Sequence, residues 1–585
     1  MKDNFSFHGK QAIIVSDGSL SSEGSGITGT GMFRKAVSMF IENLEKKKSH
    51  LLSVFPEGAE SRSRQRLALK LLGELSEKPA DRIMNDNPEL KPFFRDIYTL
   101  DQFVENLYNY WRSFERFFVC ISPEAKGSLC KKPYRTFESS IEKLNDTVRM
   151  VYRDIRENIT GDHPRIYRQV AAGCQIGVIA SERKWPTTHD YRNLLAVPMI
   201  RQVMMHPPLI LDPPMNKRSG EFRKVEKNPL EGIDLGNGEW LCYPAKICDT
   251  VMHVFFHHSF IGLGVSLANL FELADDEDLE KKPDAVYVYG VPEETAKKYG
   301  DNKTVFYEDK KNDMMVGAVP VNPEYGYFGY LKKMMLTLHN VVMMKRGRMP
   351  FHGAMVRITL RNGKSANVII LGDTGAGKSE TLEALRILAK DYIRDMTIIS
   401  DDMGALDIEK GRVVGYGTET GAFVRLDDLQ PGFAFGNIDR SIIMSPQKIN
   451  ARAVIPITTL EEVTRGYPVD FIMYANNYDK VSSEHPVIEL FDSPEKALKV
   501  FREGARMAKG TTGDEKGIVN SYFANIFGPS QYREMHEKLA VRFFSQLFKT
   551  GVTVGQMRTM LGLPGHEAKG PENSAKALFR EISKR

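Results

Sequence analysis

Cysteine is scarce in this chain. Its 585 residues include five, Cys120, Cys130, Cys174, Cys242 and Cys248, an odd number with no pair spaced as CxxC. This excludes a disulfide-stapled scaffold and a cysteine-rich zinc site, and it predicts a reducing, cytoplasmic setting. Charge of one sign is lacking too: 80 basic side chains face 75 acidic ones, for a formal net charge of +5. Composition therefore calls for neither nucleic acid nor an acidic membrane as a partner. No apolar run is pure enough to span a bilayer. The most apolar long stretch, "VFFHHSFIGLGVSLANLFEL" at 254–273, is diluted by histidines, serines, glycines and an asparagine, and its expected place is a core. The first residues, "MKDNFSFHGKQAIIVSDGS", lack the apolar centre of a signal peptide, Asp17 interrupting the one short apolar run. Neither an internal repeat nor a low-complexity tail is evident.

What is present is a packed globular composition, 42% hydrophobic and 10% aromatic, on a chain long enough for about two to four domains. "MFRKAVSMFIENLEKKK" and "RQRLALKLLGELSEK" space apolar residues three and four apart and predict helices buried on one face. The glycine- and serine-rich stretch at 16–31 reads as a surface loop, and the prolines and glycines of 205–240 forbid long regular elements there. Strand-like segments follow in "AVYVYG" and "KTVFYE". From about residue 320 strands flank a helix: "ANVIILGD", a helix from Ser379, "MTIISDD", and later "ARAVIPI" and "VDFIMYANN".

The stretch Gly372–Ser379, "GDTGAGKS", satisfies G-x-x-x-x-G-K-[S/T] directly after an apolar run and before a helix pattern that aligns Leu382, Leu385 and Leu388. Glycines let the backbone curl so that its N–H groups face phosphate oxygens. The helix N-terminus adds a favourable dipole, Lys378 supplies a mobile cation, and the Ser379 hydroxyl can ligate Mg2+. Gly372, Asp373, Thr374, Gly375, Ala376, Gly377, Lys378 and Ser379 are the candidate nucleotide contacts. Asp401 and Asp402 close the strand "MTIIS". If that strand neighbours the P-loop strand, two carboxylates suited to a hard divalent cation stand beside the phosphates; the bland alternative is a polar turn or a helix cap.

Upstream, "EYGYFGYLKKMMLTLHNVVMMKRGRMPFHGAMVRI" at 324–358 orders Tyr327, the pair Lys332–Lys333, an apolar helix-like run and His352 ahead of the P-loop strand. This order resembles the phosphoenolpyruvate carboxykinases, whose Y-x-G-x-x-K-K is matched by "YFGYLKK". The likeness continues in "TETGAFVR" with Glu419 and Arg425, in "NARAVIP" with Arg452, and in "EKGIVNSYFANIFG", similar to the family's nucleotide-base loop. The resemblance implies Mn2+ held by Lys333, His352 and Asp402, with Asp401 beside them, and Mg2+ held by Ser379 and the nucleotide phosphates. Lys332, Lys378, Arg452 and Tyr327 would be catalytic, and Arg425, Lys516 and Gly517 would contact nucleotide. A lysine that ligates metal must be neutral, and a neighbouring lysine together with a metal depresses its pKa.

The sequence also departs from the family. Its G-R-S-P-K-D-type motif, which grips the substrate carboxylate, is not found as such, "ESRSRQRL" with Arg62 and Arg64 being the nearest text. Lys516 replaces a base-binding arginine, and "GDTGAGKSE", with Glu380, is more similar to HPr kinase/phosphorylase. The expectation is an α/β protein with a divergent N-terminal α/β domain over 1–320 and a carboxykinase-like, mixed-sheet P-loop domain over 321–585. Its expected activity is ATP-, Mg2+- and Mn2+-dependent phosphoryl transfer on a small carboxylic acid, with oxaloacetate decarboxylated and phosphorylated to phosphoenolpyruvate. The alternatives are a kinase on a small hydroxyl compound or a protein serine, and a catalytically silent nucleotide-binding protein.

Overall fold

The computed structural model describes residues 4–16, 26–121, 132–163, 165–166, 170–219, 221–236, 238–300, 303–373, 375–426, 436–509 and 516–584. Most of the glycine- and serine-rich stretch at 16–31, together with Cys130 and Thr374, lies outside them. The chain is α/β and forms two compact units, Met1–Arg183 with Pro198–His206, and Lys184–Val197 with Pro207–Arg585. No helix among the described residues is long and apolar enough to cross a membrane, and Cys120, Cys174, Cys242 and Cys248 are buried free thiols.

In the first unit, strands Gln11–Ser16, Glu115–Ile121 and Ile176–Ser181 run parallel. Asn4–His8 and Met199–Met205 add antiparallel edges. Parallel neighbours need long crossovers, and helices provide them: Gly31–Lys46, Ser61–Leu75 and Ile97–Arg112 before Glu115, then Lys132–Thr160 before Ile176. The two helices predicted from apolar spacing are among them, and they bury Phe40, Ile41, Leu71 and Leu72 in a shared core.

The second unit holds strands Trp240–Ile247, Thr250–His257, Ala285–Val291, Met314–Pro320 and Val305–Asp309, neighbours in that order. Helix Phe328–Lys345 packs on them, Met334 and Leu338 standing over Gly317. The expected boundary at 320/321 therefore falls inside this unit, because the helix that follows it covers the strands that precede it. That helix is apolar nearly all round and buried along almost its whole length, which carries the adjacent lysines 332 and 333 into the interior. A further mixed sheet orders strands Met403–Glu409, Met349–Leu360, Ser365–Leu371, Phe471–Asn476 and Thr553–Arg558, the last three parallel.

Strand Thr250–His257 carries His253 with no exposed surface, edge-on to Trp185 at 4.8 Å, and neither ring nitrogen has a hydrogen-bond partner among the described residues. Burial lowers its pKa from 6.5 to about 3. Because the folded-state value lies below the unfolded one, the stability contributed by the neutral ring is complete above pH 6.5 and is lost as pH falls toward 3. Between pH 7.5 and 5 this group alone removes about 2 kcal/mol. His253→Phe, which keeps the aromatic packing, is expected to lose that much less stability over the same interval, as read from denaturant midpoints at the two pH values.

Candidate functional site

Strand Met349–Leu360 organises the site because it is paired on both sides. On one edge it runs antiparallel to the P-loop strand Ser365–Leu371, with Gly353 opposite Leu371, so that the His352 carbonyl accepts from Gly372 N at 3.2 Å. On the other edge its pairing passes from strand Ile393–Ser400 to strand Met403–Glu409. Asp401 and Asp402 occupy that changeover, and Gly353 N donates to the Asp402 carbonyl at 2.9 Å. The strand "MTIIS" does not neighbour the P-loop strand, since Met349–Leu360 stands between them. The aspartates reach the phosphate loop because the changeover falls at His352–Gly353.

The loop from Gly372 leads into helix Lys378–Tyr392. Gly375 and Gly377 have φ of +77° and +96°, and a Cβ on Gly377 would stand 2.7 Å from the Thr559 side chain, so both positions need glycine. Thr559 Oγ1 donates to the Ala376 carbonyl at 2.7 Å and Asn477 Nδ2 to the Gly375 carbonyl at 2.9 Å. Lys378 Nζ donates to the Gly372 carbonyl. A cavity of about 230 Å³ opens beside the loop.

Two lysines with opposite electrostatics face this cavity. Lys332 Nζ lies 2.9 Å from Asp402 Oδ2 and 2.8 Å from Glu419 Oε1. Burial works against its charge, but the two carboxylates outweigh burial and hold its pKa above the usual lysine value. Asp402 is correspondingly held well below its usual range by Lys332 and His352 in spite of burial. Burial pushes Glu419 up to about 7 against the pull of Lys332. Lys333 goes the other way, drawn down to about 8 by desolvation and by the Arg218 guanidinium. Its ammonium lies over Phe527 at 5.3 Å, and the same ring lies 5.8 Å from His352.

His352 Nδ1 bonds the Ala524 carbonyl, and its Nε2 lies 3.0 Å from Asp402 Oδ1. A backbone carbonyl accepts only from N–H, so Nδ1 carries a proton; the Nε2–Oδ1 hydrogen bond needs a proton on Nε2 as well, and a divalent cation taking that proton's place would receive the Nε2 lone pair. Two facing electron-pair donors, with a lysine of lowered pKa on the same ring, fit a divalent cation. The donor set is mixed: among the described residues no three His, Cys, Asp or Glu side chains gather as a metal cage.

Arg425 and Arg452 face each other across neighbouring strands Gly421–Arg425 and Arg452–Pro456. Like charges directly opposite are unfavourable in a sheet, and here both line the P-loop cavity. Arg452 Nε is buried without a hydrogen-bond partner among the described residues, and its guanidinium lies 5.4 Å from the Phe423 ring. An anion between the two arginines would offset their repulsion.

The sequence matches no protein-family model and no curated protein.

The structure brings Tyr327, Lys332, Lys333, His352, Asp373, Gly375, Gly377, Lys378, Ser379, Glu380, Asp401, Asp402, Arg425 and Arg452 to one cavity wall. Gly372 and Ala376 shape the loop from behind, and Thr374 is outside the described residues. Lys516 and Gly517 begin strand Lys516–Asn520, paired with Ala505–Lys509. Arg62 and Arg64, the nearest text to a carboxylate grip, sit on helix Ser61–Leu75 of the first unit, where Arg64 pairs with Glu45 at 2.9 Å. Arg218, which acts on Lys333, was missed. Its place is set by its neighbour, Ser219 N donating to Tyr330 Oη at 3.0 Å. Phe423 and Phe527 were missed as well, since nothing local distinguishes them from core aromatics.

Asn477 has no motif and ties three segments. Besides Gly375 it bonds Met507 through both backbone groups, accepting from N at 2.7 Å and donating to O at 3.2 Å, while Arg506 Nε pairs with Asp373 at 2.7 Å. The P-loop and the 505–520 hairpin are thereby held as one piece. Asn477→Ala removes three hydrogen bonds at a buried position, and a stability loss of about 3 kcal/mol is expected in urea denaturation.

Proposed function

We propose that this chain is a nucleotide- and divalent-cation-dependent phosphotransferase of the carboxykinase type, whose leading reaction converts oxaloacetate and ATP to phosphoenolpyruvate, ADP and CO2. The observation that carries this reading is the gathering of Lys333, His352 and Asp402 in one cavity with Lys378, Ser379 and the opposed pair Arg425–Arg452. A P-loop by itself is common, but the lysine–histidine–aspartate set beside it is not.

The N–H groups of the loop and Lys378 would grip the nucleotide phosphates, and the Ser379 hydroxyl would ligate Mg2+ on those phosphates. Lys333, His352 Nε2 and Asp402 would hold a second cation such as Mn2+, which when bound supplies Lewis acidity toward developing oxygen anions. Lys332, kept cationic by Asp402 and Glu419, offsets charge on the moving phosphoryl group, and Arg452 does so from the opposite wall. Arg218, next to Lys333, takes the part of gripping the substrate carboxylate.

Loss of CO2 leaves the electrons of the broken C–C bond on the enolate, whose oxygen attacks the γ-phosphorus as ADP departs. No general base is required. A kinase on a hydroxyl acceptor does require one, and Asp401 and Glu380 on the same wall favour that second reading. The deciding experiment gives purified full-length protein oxaloacetate and ATP or GTP with Mg2+ and Mn2+, and adds a mass-spectrometric screen for other phosphorylated products. Phosphoenolpyruvate formed with ATP in preference to GTP is the expected result. A different phosphorylated acceptor selects the kinase reading, and no product from any acceptor selects a silent nucleotide-binding protein.

A further inference from the structure

The first unit contains an apolar cavity that phosphoryl transfer does not use. Its volume is about 490 Å³, whereas protein interiors ordinarily hold few voids larger than a water molecule. Small-molecule pockets begin near roughly 300 Å³. Helices Gly31–Lys46, Ile97–Arg112 and Lys132–Thr160 wall it with Ala36, Val37, Leu107, Val148 and Val151, and the sheet closes it with Phe118.

One part of the wall is electrically distinct. Tyr108 and Trp111, both lining the cavity, each stand against a guanidinium, Arg112 at 5.7 Å from the Tyr108 ring and Arg116 at 5.8 Å from the Trp111 ring. Arg149 also acts on Tyr108 and is itself bonded to Asp146. Arg116 is 2% exposed, and its partners are backbone carbonyls alone, those of Gly173, Ala171, Arg112, Phe114 and Trp111. Carbonyls satisfy its N–H groups without cancelling its charge, and no carboxylate pairs with it among the described residues. Glu105, an acid near this wall, is taken up by Tyr152 and by Arg156 at 3.2 Å. The field at the Tyr108–Trp111 wall is therefore positive beside an apolar space, and such a site favours an organic anion with an apolar tail.

We propose that this cavity binds a single-chain amphiphile with a carboxylate head, the tail among the helices and the head at Tyr108 and Trp111. A medium-chain fatty carboxylate is the simplest member of that class. All its contacts lie in the first unit, and the proposal does not depend on the phosphoryl-transfer reading.

The test is equilibrium dialysis of the full chain against radiolabelled dodecanoate below its micelle concentration, with dodecanol and dodecyltrimethylammonium as controls. Saturable uptake of one dodecanoate per chain is expected, with the cationic amphiphile at least tenfold weaker. Arg112→Gln should weaken dodecanoate about five- to tenfold and leave dodecanol unchanged. Ala36→Phe and, separately, Val148→Phe should fill the space and abolish uptake while the unfolding midpoint is kept. Two filling sites guard against one variant failing to fold. A crystal soaked in 12-bromododecanoate should show its bromine signal within the cavity. Absence of saturable uptake, undiminished uptake by a folded filling variant, equal binding of the cation, or bromine only elsewhere would each overturn the proposal.

Discussion

Lys378→Ala is expected to weaken ATP binding by about two orders of magnitude or more, whereas His352→Ala should leave ATP affinity within about threefold and remove turnover. The two side chains lie on one cavity wall, so the contrast comes from what each touches. Lys378 opens the helix after the phosphate loop and reaches back to the Gly372 carbonyl, the place from which an ammonium contacts phosphates both before and during transfer. Charge-assisted bonds of this kind contribute about 1.5–3 kcal/mol each, and losing two of them accounts for the drop. His352 is held by the Ala524 carbonyl and turned toward Asp402, so under the proposed function its loss would remove a cation ligand without removing a phosphate contact. Titration calorimetry with Mg-ATP and single-turnover kinetics separate the two terms. Equal loss of nucleotide affinity in both variants would contradict this division of roles.

Lys332→Met is expected to cost about 3–5 kcal/mol of stability, as breaking a buried ion pair from one side does. The ammonium is the shared partner of Asp402 and Glu419 at 2.9 and 2.8 Å, and its side chain is 3% exposed. Methionine fills the space but leaves two close carboxylates in a poorly solvated place. Adding Glu419→Gln to this variant removes one of them and should recover at least about 1 kcal/mol, while turnover stays lost because the cation at the transferring group is still missing. Denaturant midpoints of the two variants against the parent measure this. A Lys332→Met protein as stable as the parent would show that the three groups are not coupled as described.

The parts of this site that were legible in the sequence are those whose chemistry needs residues close together in the chain. The candidate phosphate loop is eight consecutive residues, and the lysine pair stands out because it interrupts an otherwise apolar helix. His352, Asp402, Arg425 and Arg452 were reached by the order of segments. What could not be read was pairing. That Met349–Leu360 stands between the P-loop strand and Ile393–Ser400 follows from a strand of 12 residues serving two partners on one edge, which no local pattern encodes. The 320/321 boundary falls inside the second unit for the same reason, since helix Phe328–Lys345 packs on strands Ala285–Val291 and Met314–Pro320 that precede it. Arg218 and Asn477 are single polar residues in unremarkable text, given their roles by topology alone. Helix existence in the first unit was legible because amphipathic spacing is local, whereas its 490 Å³ cavity arises from how several helices and a sheet fail to meet.

Crystals of the full-length protein grown with ATP, MgCl2 and MnCl2, with diffraction recorded on both sides of the manganese absorption edge, test the central claim most directly. The account predicts a manganese peak within coordination distance of His352 Nε2 and Asp402, with Lys333 Nζ turned toward it and the nucleotide phosphates on the Gly372–Ser379 loop. Manganese found only at surface carboxylates, or nucleotide bound away from that loop, would contradict it.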